Sequence, residues 1–299
     1  MSRVLLTGAN GFAGPYVATA LVEHGHQVIG TWRAQDGPTS SAISEWVEVD
    51  LVNLSATAAA VEAARADAVI HLAAISFVGH SDVSEMYASN VLGTRNLLES
   101  LAQTGMAGPV VVASSANVYG NRQTGRLVES LKPDPRSDYA MSKLVCEHLA
   151  SMYSNRLSTV IVRPFNYTGV GQGKQFLIPK IISKVKSSEA EVYLGNIEVA
   201  RDFSDVRFVA ESLSRLLSCS EAIGKTINIC SGHAVTITNV IDLISIISGV
   251  DIIVKIDPSL VRSQEVEKLW GSDALLQKLI GPINCPPLEV TLRWMLNNT

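Results

Sequence analysis

One stretch, Thr7-Gly8-Ala9-Asn10-Gly11-Phe12-Ala13-Gly14, constrains this chain more than any other. It lies between an apolar run of strand length, residues 4–6, and a segment of helical period from residue 12 to about 23. Glycines at 8, 11 and 14 permit a tight turn, close backbone approach to an anion, and close contact of helix with strand. The helix that follows offers unpaired N–H groups and a partial positive charge, which suits a pyrophosphate. A chain that opens this way is expected to build a parallel sheet around a dinucleotide.

The sequence that follows keeps that rhythm. Apolar runs at 27–31, 46–49, 68–73, 109–113 and 159–162 alternate with helical periods at 55–66, 83–103 and 139–153. Such alternation predicts an α/β fold, a Rossmann-type doubly wound parallel sheet covered by helices on both faces. Beyond Arg163 the pattern loosens into a Gly-rich loop (165–174), helices at 176–186, 206–218 and 237–248, and short strands at 192–194, 226–229 and 252–256. We therefore expect a dinucleotide-binding domain over residues 1–165. Residues 166–299 should form mainly a smaller C-terminal substrate-binding lobe, with some segments returning to the core domain.

Composition narrows the function classes. With 47% hydrophobic and 17% charged residues the chain is neither disordered nor fibrous. A net charge of −4 with no Lys/Arg run argues against nucleic acid or an anionic membrane as partner. The N-terminal apolar run is too short for an export signal, and the apolar stretch 240–254 is broken by Asp242, Gly249 and Asp251. A cytoplasmic protein is expected. Cys146, Cys219, Cys230 and Cys285 show no CxxC spacing and are read as reduced thiols; no metal is called for.

The end of the second strand bears on the cofactor. An NAD site usually places an acid there for the ribose hydroxyls. This chain has Gly30-Thr31-Trp32-Arg33, and a guanidinium suits a 2′-phosphate, so NADP(H) is favoured and NAD(H) remains possible. Asp50, ending the third strand, is placed either to meet an adenine amino group or to cap the next helix. His71 lies in an apolar strand and reads as a satisfied core histidine.

Chemistry concentrates in two segments. Tyr139 and Lys143 stand four apart, on one face of a helix. A free phenol, pKa about 10, is a weak acid at neutral pH. A neighbouring ammonium, joined by an oxidised nicotinamide, is expected to lower that value. Ser114-Ser115-Ala116-Asn117-Val118-Tyr119-Gly120 follows the fifth strand, where a parallel sheet presents its active edge. The Ser115 hydroxyl is placed to steady the same substrate oxygen.

With these residues in place, the chain resembles the extended short-chain dehydrogenase/reductases that act on nucleotide sugars. The resemblance runs through nearly the whole chain: TGANGFAG, HLAA from His71, SNVLGT from Ser89, SSANVYG, YAMSK and RPFN from Arg163. It continues through GNIEVARDFSDV from Gly195, NICSG from Asn228, and RSQEV from Arg262. The later blocks look most like those of GDP-4-keto-6-deoxy-D-mannose reductases. Where relatives carry Gly-Trp-x-Pro near the C-terminus, this chain has Gly281-Pro282-Ile283-Asn284, which puts the C-terminal packing in question.

What the resemblance implies can be placed residue by residue. Tyr139 would be the general acid, Ser115 the partner of the developing alkoxide, and Lys143 the holder of the nicotinamide ribose. Cofactor contacts would come from Gly8, Asn10, Gly11, Phe12 and Gly14 in the turn, and from Arg33, Asp50 and Leu51 beside it. Leu72, Ala73, Ala74, Asn90, Tyr139, Lys143 and Phe165 would complete them, with Asn90 ordering a water behind the lysine. Substrate contacts would come from Ser76, Ser115, Asn117, Tyr139, Asn166, Arg201, Arg262 and Glu265. Asn117 stands where the sugar dehydratases carry an acid, so dehydration would lack its proton carrier.

The expected reaction is NAD(P)H-dependent C4-keto reduction of a GDP-linked 4-keto-6-deoxyhexose, giving GDP-D-rhamnose or GDP-6-deoxy-D-talose. Alternatives are a nucleotide-sugar 4-epimerase that holds NAD tightly, or a non-catalytic dinucleotide sensor. Relatives dimerise through a four-helix bundle, for which 83–103 and 139–153 are the candidate helices.

Overall fold

A computed structural model of the chain describes residues 2–33, 37–38, 40–120, 125–187, 191–261 and 267–298. The first half alternates as expected. Strand β1 (Arg3–Thr7) passes through the glycine turn into α1 (Gly14–Glu23), followed by β2 (Gln27–Trp32), β3 (Glu45–Glu48), α2 (Leu54–Ala64) and β4 (Ala68–His71). The long helix expected over 83–103 is present in three pieces: α3 (Val83–Tyr87), a π-turn at Ala88–Leu92 and α4 (Gly93–Thr104). Then come β5 (Pro109–Ala113), a 3₁₀ turn (Ala116–Tyr119), α5 (Asp138–Met152) and β6 (Ser158–Pro164).

In the second half the Gly-rich segment contains a short strand, β7 (Asn166–Thr168), before α6 (Leu177–Lys186) and β8 (Glu191–Leu194). After these follow β9 (Ala200–Asp205), α7 (Val206–Leu217), β10 (Thr226–Ile229), β11 (Ala234–Thr236), α8 (Ile237–Ser248) and β12 (Ile253–Ile256). The chain ends with β13 (Lys268–Leu269), α9 (Ala274–Ile280) and α10 (Leu288–Asn298).

The main sheet has seven strands in the order β10-β6-β5-β4-β1-β2-β3, all parallel. The chain leaves β1 toward β2 and β3, then returns to lay β4 on the other side. That reversal opens a crevice at the carboxyl ends of β1 and β4, where ligands bind in such sheets. One face of the sheet is covered by α1 and α7 through Val17, Leu21, Phe208, Leu213 and Leu216. The other is covered by α2, α4 and α5 through Val61, Leu97, Leu98, Leu101 and Ala150. Thus α7 and β10 lie with the first half although they come after residue 165.

A separate core forms the second lobe, from Ile178, Ile181, Val192, Phe203, Val240 and Ile244. The C-terminal helix joins that core through Leu292 and Met295, with no Gly-Trp-x-Pro turn. Gln277 does the local work instead, its Oε1 accepting from Ile283 N and its Nε2 donating to Ile283 O. No helix among the described residues is long and apolar enough to cross a membrane.

Candidate active site

Two facts of backbone geometry shape the turn after β1. Gly8 sits at φ +71°, and a Cβ there would lie 2.6 Å from Ala73 N, so the β1 and β4 ends meet with no room for a side chain. Gly14 opens α1 against Ala9, whose carbonyl oxygen would lie 2.1 Å from a Cβ. Among the described residues no side chain caps α1 at Ala13; Gly14 N donates to Gly11 O at 3.0 Å and Pro15 has no N–H, so an anion here would be met by N–H groups of the turn that precedes the helix. A diphosphate fits this cradle sterically and electrostatically. Asn10 Nδ2 donates to Gly37 O, tying the turn to the loop after β2.

The turn opens on a cleft of about 520 Å³. Its walls bring together most of the residues expected to bind: Gly8, Gly11, Phe12, Gly14, Leu72, Ala74, Phe165, Ser76, Ser115, Asn117, Tyr139, Lys143, Asn166 and Arg201. Asn10, Arg33, Asp50, Leu51, Ala73 and Asn90 do not line it. Arg33 and Asp50 are exposed past the ends of β2 and β3. Asp50 does not cap α2; Asn53 does, accepting from Ala56 N, while Asp50 Oδ1 accepts from Val52 N at 3.0 Å. Arg262 and Glu265 lie outside the described residues.

Helix α5 presents Tyr139 and Lys143 inward, both buried. Ser137 caps the helix by accepting from Ala140 N. Lys143 Nζ donates to Ala113 O at 2.8 Å, at the end of β5, which holds the ammonium at the sheet edge. Burial lowers the lysine pKa, and nearby Cys146 and Glu147 work the other way.

For Tyr139 the expected lowering by the ammonium is not found in the chain by itself. Burial pushes the phenol above its ordinary value, and a hydrogen bond from Ser115 offsets this only in part. A phenol kept protonated is the form that donates a proton. Ser115 Oγ accepts from Asn117 N at 3.2 Å and from Asn117 Nδ2 at 3.1 Å.

Asn90 occupies the π-turn, a feature frequent at functional sites. Its amide bonds to Ile75 N at 2.7 Å, Ile75 O at 3.2 Å and Ser142 Oγ at 3.0 Å. It thereby ties the loop after β4 to α5. His71 is a core residue as expected: its ring bonds Thr7 and Thr94, and burial pulls its pKa down to about 3. Arg201 lines the cleft, while the carboxylates beside it are engaged elsewhere. Asp202 accepts from Ser231 N and Gly232 N, and Asp205 pairs with Arg207 at 2.6 Å.

Two features were not anticipated from the sequence. Tyr167 lines the cleft beside Asn166, and its ring stacks on Phe12 with centroids 5.8 Å apart and planes 11° from parallel. Behind the site, Glu147 is held by Arg163 through bonds of 2.8 and 2.7 Å and by Ser114 at 2.5 Å. The Arg163 guanidinium also lies 4.7 Å from the centre of the Tyr119 ring. Glu147 follows Lys143 by four positions on α5, which is the signal a sequence reading could have used.

The chain matches the model of the NAD dependent epimerase/dehydratase family over residues 4–230. It is 31% identical to GDP-6-deoxy-D-talose 4-dehydrogenase of Aggregatibacter actinomycetemcomitans, covering 93% of this chain and 91% of that one. It is 35% identical to GDP-6-deoxy-D-mannose reductase of Pseudomonas aeruginosa, covering 72% and 74%. Among solved structures, a putative epimerase from Burkholderia cenocepacia superposes with a TM-score of 0.91 at 42% identity, covering 99% and 97%. RMD from Pseudomonas aeruginosa, complexed with NADPH, superposes with a TM-score of 0.83 at 30% identity, covering 100% and 98%.

Proposed function

This chain belongs to the NAD dependent epimerase/dehydratase family, and from that premise we propose that it reduces the C4 keto group of GDP-4-keto-6-deoxy-D-mannose. The product is GDP-D-rhamnose or its C4 epimer GDP-6-deoxy-D-talose. The observation that carries this reading is the buried Tyr139 phenol that lines the cleft together with Ser115, with an amide at Asn117 where the dehydratases hold an acid. Similarity to two oxidoreductases of GDP-6-deoxyhexoses supports the substrate class.

A reduced nicotinamide, when bound, would supply the hydride. Tyr139 gives its proton to the carbonyl oxygen as that oxygen gains charge, and Ser115 donates a hydrogen bond to the same oxygen. Lys143, anchored on Ala113 O, would hold the nicotinamide ribose and offset charge on the phenolate. Asn166, Arg201, Arg262, Glu265 and Ser76 bind the nucleotide sugar, the arginines suiting its diphosphate. Arg33, past the end of β2, favours NADPH over NADH.

The protein acts as a homodimer through a four-helix bundle of α3–α4 and α5 from each copy. In support, those helices expose apolar side chains: Leu92 at 48%, Met141 at 42% and Met152 at 73%.

Mixing the protein with GDP-4-keto-6-deoxymannose and either NADPH or NADH tests the reading. Loss of nicotinamide absorbance is expected, and NMR of the product gives the C4 configuration. Tyr139→Phe should abolish turnover and keep cofactor binding; unchanged turnover removes the phenol from the mechanism. The likeness to a putative epimerase keeps one second reading, a 4-epimerase. An isomerised sugar with no net cofactor consumption establishes it.

A further inference from the structure

We propose that Asn117 is a positioning residue that fixes the direction of the Ser115 hydroxyl, making it a donor to the reacting oxygen. The inference rests on the reading of the cleft as one that reduces a carbonyl. It begins with an inventory. A serine hydroxyl has one hydrogen to give and two lone pairs to receive with.

Here two N–H groups of a single residue, the Asn117 backbone at 3.2 Å and its Nδ2 at 3.1 Å, both point at Ser115 Oγ. With the lone pairs taken, the hydroxyl hydrogen has to face away from Asn117. The Tyr139 phenol, which lines the same cleft, offers one receiver. A substrate carbonyl oxygen held next to the phenol is another.

The amide is rigidly placed. Asn117 lies in the 3₁₀ turn, where Val118 N donates to Ser115 O and Gly120 N to Asn117 O, and Val118 and Tyr119 are wholly buried. A neutral amide supplies hydrogens only through its nitrogen. A carboxylate in the same volume would take the serine hydrogen for itself and turn the hydroxyl away from the substrate. The residue type at 117 thus sets more than the lack of a dehydrating acid. It sets the polarity of Ser115.

The experiment compares Asn117→Ala and Asn117→Asp, each alone and in a Ser115→Ala background, in C4 reduction between pH 5 and 9. At pH 8 Asn117→Asp should lose about tenfold to a hundredfold in kcat, more than Asn117→Ala, with little change in KM. Its activity should recover as the pH falls and the new carboxyl regains a hydrogen to donate. Neither change should cost anything further once Ser115 is Ala. Wild-type activity in Asn117→Asp at pH 8, or full additivity with Ser115→Ala, overturns the proposal.

A substrate-free arm separates this from the wider reading. Proton exchange of the Asn117 side-chain amide, followed by NMR, should be slowed in the wild-type protein and fast in Ser115→Ala. If no keto sugar is reduced, the wider reading fails while this arm still decides the pairing. Equal exchange in the two proteins overturns it.

Discussion

Replacing Glu147 with Gln keeps the shape of a side chain that is only 6% exposed and removes its charge. Arg163, 4% exposed, then keeps a buried guanidinium that faces one amide oxygen and one amide N–H₂. At present burial pulls the Arg163 pKa down, and the Glu147 carboxylate more than reverses this. Breaking a buried pair by removing one partner costs about 3–5 kcal/mol. The Tyr119 face, 4.7 Å from the guanidinium, is there before and after the change and cancels, while the amide oxygen still offered to the guanidinium recovers about 1 kcal/mol. A loss of roughly 2–4 kcal/mol remains, which at about 2 °C per kcal/mol for a chain of this size lowers Tm by about 4–8 °C. Urea denaturation and thermal melts of the single variant measure it. The double variant Glu147→Met with Arg163→Met, which buries no charge, should recover most of the loss. A single variant within about 1 kcal/mol of wild type, or a double variant less stable than the single, refutes the reasoning.

Two further predictions rest on equally local geometry. Gly8→Ala forces a side chain into left-handed backbone and onto Ala73 N, where the nearest atoms are all backbone. It should cost about 2–4 kcal/mol of stability and weaken dinucleotide affinity, read by denaturation and cofactor titration; unchanged affinity contradicts the role of the turn. His71, neutral in the fold with a pKa of about 3, binds its proton far more readily when unfolded. The unfolded state therefore holds more protons between pH 3 and about 6.5, and stability is lost as pH falls through that window, by about 2 kcal/mol from pH 7 to 5. Urea midpoints at the two pH values measure it, and a His71→Asn variant should lose this part of the dependence.

How far the sequence could be read depends on which forces leave a pattern. Strands β1, β4 and β5 of the first half are apolar runs and declare themselves. Strand β9, Ala-Arg-Asp-Phe-Ser-Asp, is almost wholly buried and yet polar, because Asp202 is met by Ser231 and Gly232 after β10 and Asp205 by Arg207 of α7 and Thr291 of α10. Hydropathy is silent about such a strand. Likewise β7, three residues within a Gly-rich segment, pairs with β9 and has no period of its own.

At the site, that Tyr139 and Lys143 share one face of a helix was legible from their spacing, and the cleft brings Ser115 to them. Tyr167 was not, because its place beside Phe12 joins residues 155 positions apart. Nor was the upward push of burial on the Tyr139 phenol, since burial is a tertiary quantity. Arg163 could have been noticed as a charge ending an apolar strand, a pattern that asks for a buried counter-ion.

The rings around the glycine turn have a consequence for the polypeptide as a whole. Phe12 lies face to face with Tyr167, Tyr16 donates its hydroxyl to Val170 O at 2.7 Å, and Tyr16 meets the edge of Trp294 at 6.0 Å. Trp294 stands five positions from the last residue. The glycine turn and α1 are thus buckled to β7 and α10. Widening the cleft on that side would have to part these aromatic contacts and the bond from Tyr16 to Val170 O.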